Sequence, residues 1–385
     1  MGLLDKLFPR RAERLKAEST FKMLTGYAPV FRDWRGSIYE SALVRSAIDT
    51  LARNISKLKI EITGTAKPTL QTKLKAAPNT FQTWSQFMYR LATILYVHNT
   101  AFVVPVFDTY GDVTGYFPVL PEKCEIVESR GKLYLAYTFH DNQRAAIELD
   151  LCAVMTRFQY KSDFFGETNG ALTPTMEVIK LQDDGIKEGI KSAASFRFMA
   201  RLTNFTKDED LAKTRDRFVA ENFKKDNGEL LLFPNTMADI KQIDSKPFIV
   251  DHEQMTIIQK SVYNYFGVNE EVMQNKAYGD AWSAFYEGAV EPFAIQFSEV
   301  MSSAMFSPNE RARGSLIMAT ANRLQYMTNA DKLQVAAQMA DRGLMTRNEI
   351  REIWNLPPLP EEIGGTIPLR GEYYNLIGDA NNDNE

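Results

Sequence analysis

The chain of 385 residues is 44% hydrophobic and 24% charged, which excludes a disordered, collagenous or coiled-coil whole. At roughly 150 residues per domain it holds about two or three domains. Its 45 Lys and Arg stand against 49 Asp and Glu, a net charge of −4, whereas a dedicated duplex-gripping protein is normally basic because its affinity draws on phosphate neutralisation.

Residues 1–20 read as a short amphipathic arm, with Leu3, Leu4, Leu7 and Phe8 ahead of Arg10, Arg11, Arg14 and Lys16. Such a piece is marginal as an isolated helix. A helix is predicted over 37–57, where Ala42, Ile48, Leu51 and Ile55 recur near helical spacing, and 58–63 alternates as a strand does. Pro78-Asn79-Thr80 interrupts the pattern, and Thr80 is the predicted N-cap of a helix over 84–97. Strands are then predicted at 102–107, 113–120, 125–128, 133–139, 146–149 and 153–158, with Tyr110-Gly111-Asp112 as a hairpin turn. Helices followed by antiparallel strands place the chain in the α+β class. Residues 164–173 read as a glycine-containing loop.

A helix over 173–192 opens with Pro174 and sets Met176, Ile179, Ile186 and Ile190 on one face. Gly185 and Gly189 lie four apart in it, where glycine is unfavourable unless a neighbour approaches closely. That neighbour is either another part of the same subunit or a second copy. Lys180, Lys187 and Lys191 share a different face, diluted by Asp183, Asp184 and Glu188, and read either as surface charge or as a weak phosphate-facing stripe. Residues 196–245 form a small α/β insert: strands at 196–202 and 228–233, a charged helix at 207–222, and a further strand around Ile240 and Ile243. Asp251 and Gln254 make a capping-box pattern for a helix to about 266, so two helices bracket the insert. Residues 267–279 are polar and irregular. Asp280 then opens a long helix carrying Trp282, Phe285, Ala289, Phe293, Phe297, Val300 and Ala304, which Pro292 is expected to kink. A strand at 315–321, a helix at 330–341 stopped by Gly343, and a helix capped by Thr346 and Glu349 and ended by Pro357-Pro358 complete the pattern. The acidic tail 378–385 is expected to be disordered.

Catalytic constellations are missing. Cys124 and Cys152 are too few for a disulfide framework or a four-cysteine zinc site, and lie in apolar strand-like runs as small hydrophobes. His98, His140 and His252 lack metal-ligand spacing. There is no Gly-x-x-x-x-Gly-Lys-Ser/Thr phosphate loop, since 166–172 lacks the lysine, and no Gly-x-Ser-x-Gly elbow. The acidic groups Asp183-Asp184, Asp208 with Asp210, and Glu270-Glu271 sit in helices or loops beside basic residues, while a two-metal nuclease needs converging carboxylates. No cofactor or metal is expected. Apolar runs fall far short of the roughly 20 residues that span a bilayer, Arg10-Arg11 is not followed by an apolar signal segment, and Lys6 stands where myristoylation wants Ser or Thr. A soluble protein made in a reducing cytoplasm is expected.

The order of several passages is similar to that of the portal proteins of tailed bacteriophages, in particular the shorter-chain type. These are Met1-Gly2-Leu3-Leu4-Asp5-Lys6-Leu7-Phe8, the helix containing 47–58, and Pro78-Asn79-Thr80 followed by an aromatic helix and 99–104. There the family has Pro-Asn-Pro and Gly-Asn-Ala, and this chain has Thr80 and His98-Asn99-Thr100. Tyr265-Phe266-Gly267-Val268 resembles the family's Phe-Gly-Val-Pro, with Asn269 for the proline, and 285–293 with Pro292 resembles a further family segment. Leu344-Met345-Thr346-Arg347-Asn348-Glu349-Ile350-Arg351 with Leu356-Pro357-Pro358 is the most specific match.

The resemblance implies an oligomeric ring, usually a dodecamer, at one capsid vertex, forming the channel for genome packaging and ejection. Implied partners are further copies of the chain, the terminase large subunit that hydrolyses ATP, a major capsid or scaffold protein, a head–tail connector or adaptor, and double-stranded DNA in transit, with no membrane. The implied parts are an arm 1–20, a wing 21–171, stem helices 172–195 and 246–266 around a clip 196–245, a tunnel loop 267–279, a kinked long helix with the rest of the wing 280–323, a helical crown 324–377 and a tail 378–385. Asn269, Gln274, Asn275, Lys276 and Tyr278 would then touch DNA briefly, since Lys276 alone among them offers a full positive charge to a phosphate. An ordinary surface connection is the alternative for that loop. Two other classes compete for the whole chain: a metal-dependent phage nuclease, which would be a monomer or small oligomer, and a capsid adaptor without a channel.

Overall fold

A computed structural model describes residues 22–26, 38–139, 143–193, 198–202, 213, 216–217, 237–242, 252–320, 329–354 and 356–368. The chain divides into two compact units, one made of 1–175 with 258–385 and the other of 176–257. Among the described residues no helix is long and apolar enough to cross a membrane, and no group of His, Cys, Asp and Glu could hold a metal ion.

In the first unit, helix α1 (Ala42–Ile55) buries Val44, Ala47, Ile48, Leu51, Ala52 and Ile55, the stripe that a period of 3.6 produces. Ala42 is exposed and lies off that stripe. Strand β2 (Lys59–Ile62) follows, then an unexpected helix, α2 (Pro68–Ala76), that buries Leu70 and Leu74. Helix α3 (Trp84–His98) is capped by Thr83, not Thr80. The Thr83 hydroxyl accepts from Gln86 N at 3.3 Å and Gln86 Oε1 accepts from Thr83 N at 2.9 Å, a reciprocal box that needs Gln or Glu three residues ahead. Thr80 is exposed in the preceding turn, where Asn79 donates to Gln82 Oε1 at 3.1 Å. Thr83→Ala should therefore lower stability by about 1 kcal/mol, while Thr80→Ala leaves it within about 0.5 kcal/mol. Thermal unfolding of the two variants separates them.

All strand pairs among the described residues are antiparallel, and the strands between 100 and 156 belong to two sheets. Strands β3 (Thr100–Phe107), β4 (Val113–Val119) and β8 (Ala153–Thr156) form a sheet ordered β4-β3-β8. Strands β1 (Lys22–Gly26), β5 (Cys124–Ser129), β6 (Lys132–Thr138) and β7 (Arg144–Glu148) form another, ordered β1-β5-β6-β7. Every residue of β3 is buried. Its alternate residues Phe102, Val104 and Val106 join Val119, Cys124, Ile126, Leu135, Ile147 and Cys152 in one core between the sheets. Both cysteines thus sit in that core, and burial pushes both thiols up. Pro105 is tolerated in this strand because β8 pairs only as far as Val103, which leaves a free flank where the missing N–H does no harm.

The long aromatic helix is interrupted, and not by a simple kink. Helix α7 (Asp280–Phe285) runs into a π turn over Tyr286–Val290, and α8 (Glu291–Met305) continues with Pro292 in its first turn. Pro292 has no N–H to donate and its ring crowds the carbonyl four residues back, so the helix widens by one residue ahead of it. Phe297 stacks on Phe293 at 6.4 Å and meets the edge of Phe87 at 6.5 Å. Two serines on α8 then act as a strand edge for β11 (Ile317–Thr320). Ser302 Oγ accepts from Ile317 N at 3.0 Å and donates to Ile317 O at 3.1 Å, and Ser298 Oγ accepts from Ala319 N at 2.9 Å. The other edge of β11 pairs with β2, and a short unexpected helix α9 (Pro308–Ala312) precedes it. Helix α10 (Asn329–Asp341) is followed by Gly343 in the left-handed conformation (φ 66°), and α11 (Arg347–Ile353) carries the expected box between Thr346 and Glu349. It stops at Ile353, before the prolines, and a further turn, α12 (Glu361–Gly364), follows them.

The second unit contains most of helix α4 (Thr173–Ala193), the antiparallel pair β9 (Phe198–Leu202) and β10 (Met237–Gln242), and the start of helix α5 (His252–Phe266). The expected helix 207–222 is described only at 213, 216 and 217, which are helical. The strand expected at 228–233, the cap Asp251, the arm 1–20, His140 and the tail 378–385 lie outside the described residues.

Candidate functional site

Segment 267–279 is not irregular throughout. Val268 and Val272 are buried, and Glu270–Met273 forms one helical turn, α6, packed against α1 and α7. Asn269 is its N-cap, with Oδ1 accepting from Val272 N at 2.9 Å, and Glu270 and Glu271 complement the positive end of the turn. Asn275 takes the left-handed conformation (φ 56°), after which Lys276 N and Ala277 N both donate to Glu271 O at 2.7 and 3.2 Å. Gln274, Asn275, Lys276 and Tyr278 are exposed, Tyr278 at 68%. Gln274 Nε2 donates to Glu270 Oε1 at 2.9 Å, and Lys276 Nζ donates to Gln274 Oε1 at 2.8 Å. Asn269 is therefore engaged in a cap, while the other four predicted residues form one exposed rim. Two carboxylates and one ammonium there can meet a polyanion without binding it firmly.

Tyr265, just before this segment, takes part in a buried polar centre. Asn99 ends α3 in the left-handed conformation (φ 53°) and turns the chain into β3. Its Nδ2 donates to Glu167 O and to Asn169 Oδ1, each at 2.7 Å. Asn169 Nδ2 donates to Tyr96 O at 3.0 Å and Val97 O at 2.9 Å, and its Oδ1 also accepts from the Tyr265 hydroxyl at 2.8 Å. The Arg157 guanidinium lies 4.1 Å from the Tyr96 ring centre and 4.8 Å from that of Phe158, whose ring meets Tyr265 at 5.4 Å. Burial raises the Tyr96 and Tyr265 phenols above their ordinary range, with Arg157 pulling the other way, so both remain hydrogen-bond donors at neutral pH. Burial lowers Arg157. Sequence reading singled out Asn99 and Tyr265 as resembling family passages but not the pairing, because Asn99 and Asn169 are 70 residues apart.

On helix α4, Val178, Leu181, Gly185 and Gly189 recur every three or four residues and share a face. Val178 and Leu181 are exposed at 43% and 71%, Gly185 is half-buried and Gly189 is buried. Positions 180, 187 and 191 fall on the opposite side, since 187 and 191 are each two residues, about 200°, beyond a glycine. Lys180 and Lys187 are exposed, and Lys187 pairs with Asp184 at 3.4 Å.

A family model described as phage portal protein matches residues 42–355. Among solved structures, the neck of an empty gene transfer agent particle computed with C6 symmetry is 14% identical with a TM-score of 0.57, covering 83% of this chain and 91% of that one. The virion of a native gene transfer agent particle is 15% identical with a TM-score of 0.57, covering 87% and 97%. The neck of the native particle computed with C12 symmetry is 14% identical with a TM-score of 0.54, covering 90% and 99%. At these identities the likeness is one of fold. No curated protein matches.

Proposed function

The chain belongs to the phage portal protein family, and on that premise we propose that its copies form a ring at one capsid vertex through which double-stranded DNA is packaged and ejected. The observation that carries this reading is the family match across 42–355. The ring size we adopt is twelve, the symmetry used for one structure of similar fold. The chain acts as a structural part. ATP hydrolysis belongs to the large terminase subunit, which docks on the ring during packaging and gives way to a head–tail connector, while capsid or scaffold protein surrounds it. Its place is the virion.

Within this reading Gln274, Asn275, Lys276 and Tyr278 face the DNA, and Asn269 shapes the turn that carries them. Lys180, Lys187 and Lys191 form a weak phosphate-facing stripe. Gly185 and Gly189, with exposed Val178 and Leu181, form the face that meets the neighbouring copy. A near-neutral composition suits a conduit, because each firm phosphate contact would add friction.

Negative-stain imaging of purified protein without nucleic acid tests the reading: rings with a central hole are expected, and a uniform monomer or dimer overturns it. Gly185→Leu should reduce the fraction of complete rings, since overpacking costs about 1–3 kcal/mol at each interface. Unchanged ring formation in that variant would remove Gly185 from the subunit contact.

A further inference from the structure

Segment 267–279 leaves the fold at Tyr265-Phe266 and returns at α7 and the π turn. Both exits lead to one small buried region. At the first exit, the Tyr265 hydroxyl donates to Asn169 Oδ1 at 2.8 Å, and Asn169 Nδ2 donates to Tyr96 O at 3.0 Å. At the second, the Tyr96 hydroxyl donates to Ala289 O at 3.3 Å, inside the π turn. Tyr96 is 5% exposed and lies on α3, away from the segment in sequence. Its main chain therefore holds Tyr265, just before the segment, through Asn169, and its side chain holds the π turn that lies beyond α7 after it.

We infer that Tyr96 and Asn169 form a two-point clamp on the elements that flank 267–279, the end of α5 and the π turn after α7, making the position of the candidate channel rim a property of the α3–β3 corner. The π turn is the compliant part. Its wide register is closed by Glu291 N donating to Tyr286 O, and a side chain built at Gly288 would meet nothing within 4 Å, so that flank has room for the turn to re-form. Release of the Ala289 carbonyl would leave the turn free to change register. The clamp bears on DNA passage only if 267–279 lines the channel, so its functional weight rests on the preceding section. The contacts themselves do not.

Hydrogen–deuterium exchange on the full chain without DNA tests the clamp, with Tyr96→Phe and Tyr265→Phe as variants that each remove one hydroxyl. In either variant, amides in both 267–279 and 286–291 should exchange about threefold to tenfold faster, the scale expected for loss of one neutral hydrogen bond. Amides of β5 and β6 should exchange as in the wild type. Acceleration confined to the mutated end would show that the ends are independent and overturn the clamp. So would wild-type exchange at both ends, or equal acceleration everywhere including β5 and β6. A rim that proves to lie away from DNA would overturn the channel reading while leaving this measurement intact.

Discussion

Rings carrying Lys276→Glu should assemble normally and package little DNA. Lys276 is exposed and its ammonium makes a hydrogen bond to Gln274 only two residues away, so its loss should leave folding within about 0.5 kcal/mol of the wild type. Each substitution shifts the rim by two charge units, and a ring repeats it in every copy. The same segment contains Glu270 and Glu271, so the change leaves it three carboxylates and no cation. Phosphates within about 8 Å, the screening distance at physiological salt, then meet an unfavourable field. We expect packaged full-length DNA to fall roughly tenfold, a barrier of about 1.4 kcal/mol, with Lys276→Gln intermediate. The measurement is nuclease-protected DNA per ring-containing particle. Wild-type yield for the Glu variant would remove Lys276 from the channel.

Gly166→Ala should strongly destabilise the fold. A Cβ at position 166 would overlap the carbonyl oxygens of Arg157 and Asn99. Neither obstacle is a side chain that could swing aside. The same two residues are tied together by Arg157 N donating to Asn99 O at 2.8 Å, and Gly166 N is held by Thr100 Oγ1 at 2.9 Å. Overpacking of this kind reaches about 3 kcal/mol or more, which corresponds to a fall in Tm of roughly 6–12 °C. Gly170→Ala is the control, since a Cβ there meets only Thr168 Oγ1 at 3.4 Å. Equal melting of the two variants would contradict the argument.

What could be read from the chain divides along the range of the physics. The helix burying Ile48, Leu51 and Ile55, the strands between 100 and 156, the stop at Gly343 and the box of Thr346 with Glu349 are local patterns, and they appear where expected. The cap of α3 was misplaced by three residues because both Thr80 and Thr83 satisfy the residue preference, and only Gln86 decides between them. Pro292 marks an interruption in sequence, but whether a helix answers with a bend or a π turn depends on whether neighbours can accept the widened turn. In 267–279 the polar composition concealed Val268 and Val272, two apolar anchors too few to make a periodic signal. The Asn99–Asn169–Tyr265 centre was not legible at all as a unit. Asparagines are ordinary in turns, and nothing local tells which of them pair across the fold.

The pairing of β2 with β11 has a consequence for how the protein comes into being. Thr63 Oγ1 donates to Gly314 O, 251 residues away along the chain. At ~5–20 residues per second, the ribosome needs roughly 10–50 s to deliver the second partner after the first. Throughout that interval the edge of β2 lacks β11, and the Phe87 ring lacks Phe297. The unit 176–257 emerges complete while the unit that flanks it in sequence is still half-made. An unpaired strand edge is a template for premature association, and an uncovered aromatic adds apolar surface. A nascent chain of this protein therefore carries, for tens of seconds, a surface that can join it wrongly to a sister chain on the same message. Chaperone occupancy should peak on ribosomes that have passed residue 62 and not yet reached residue 320.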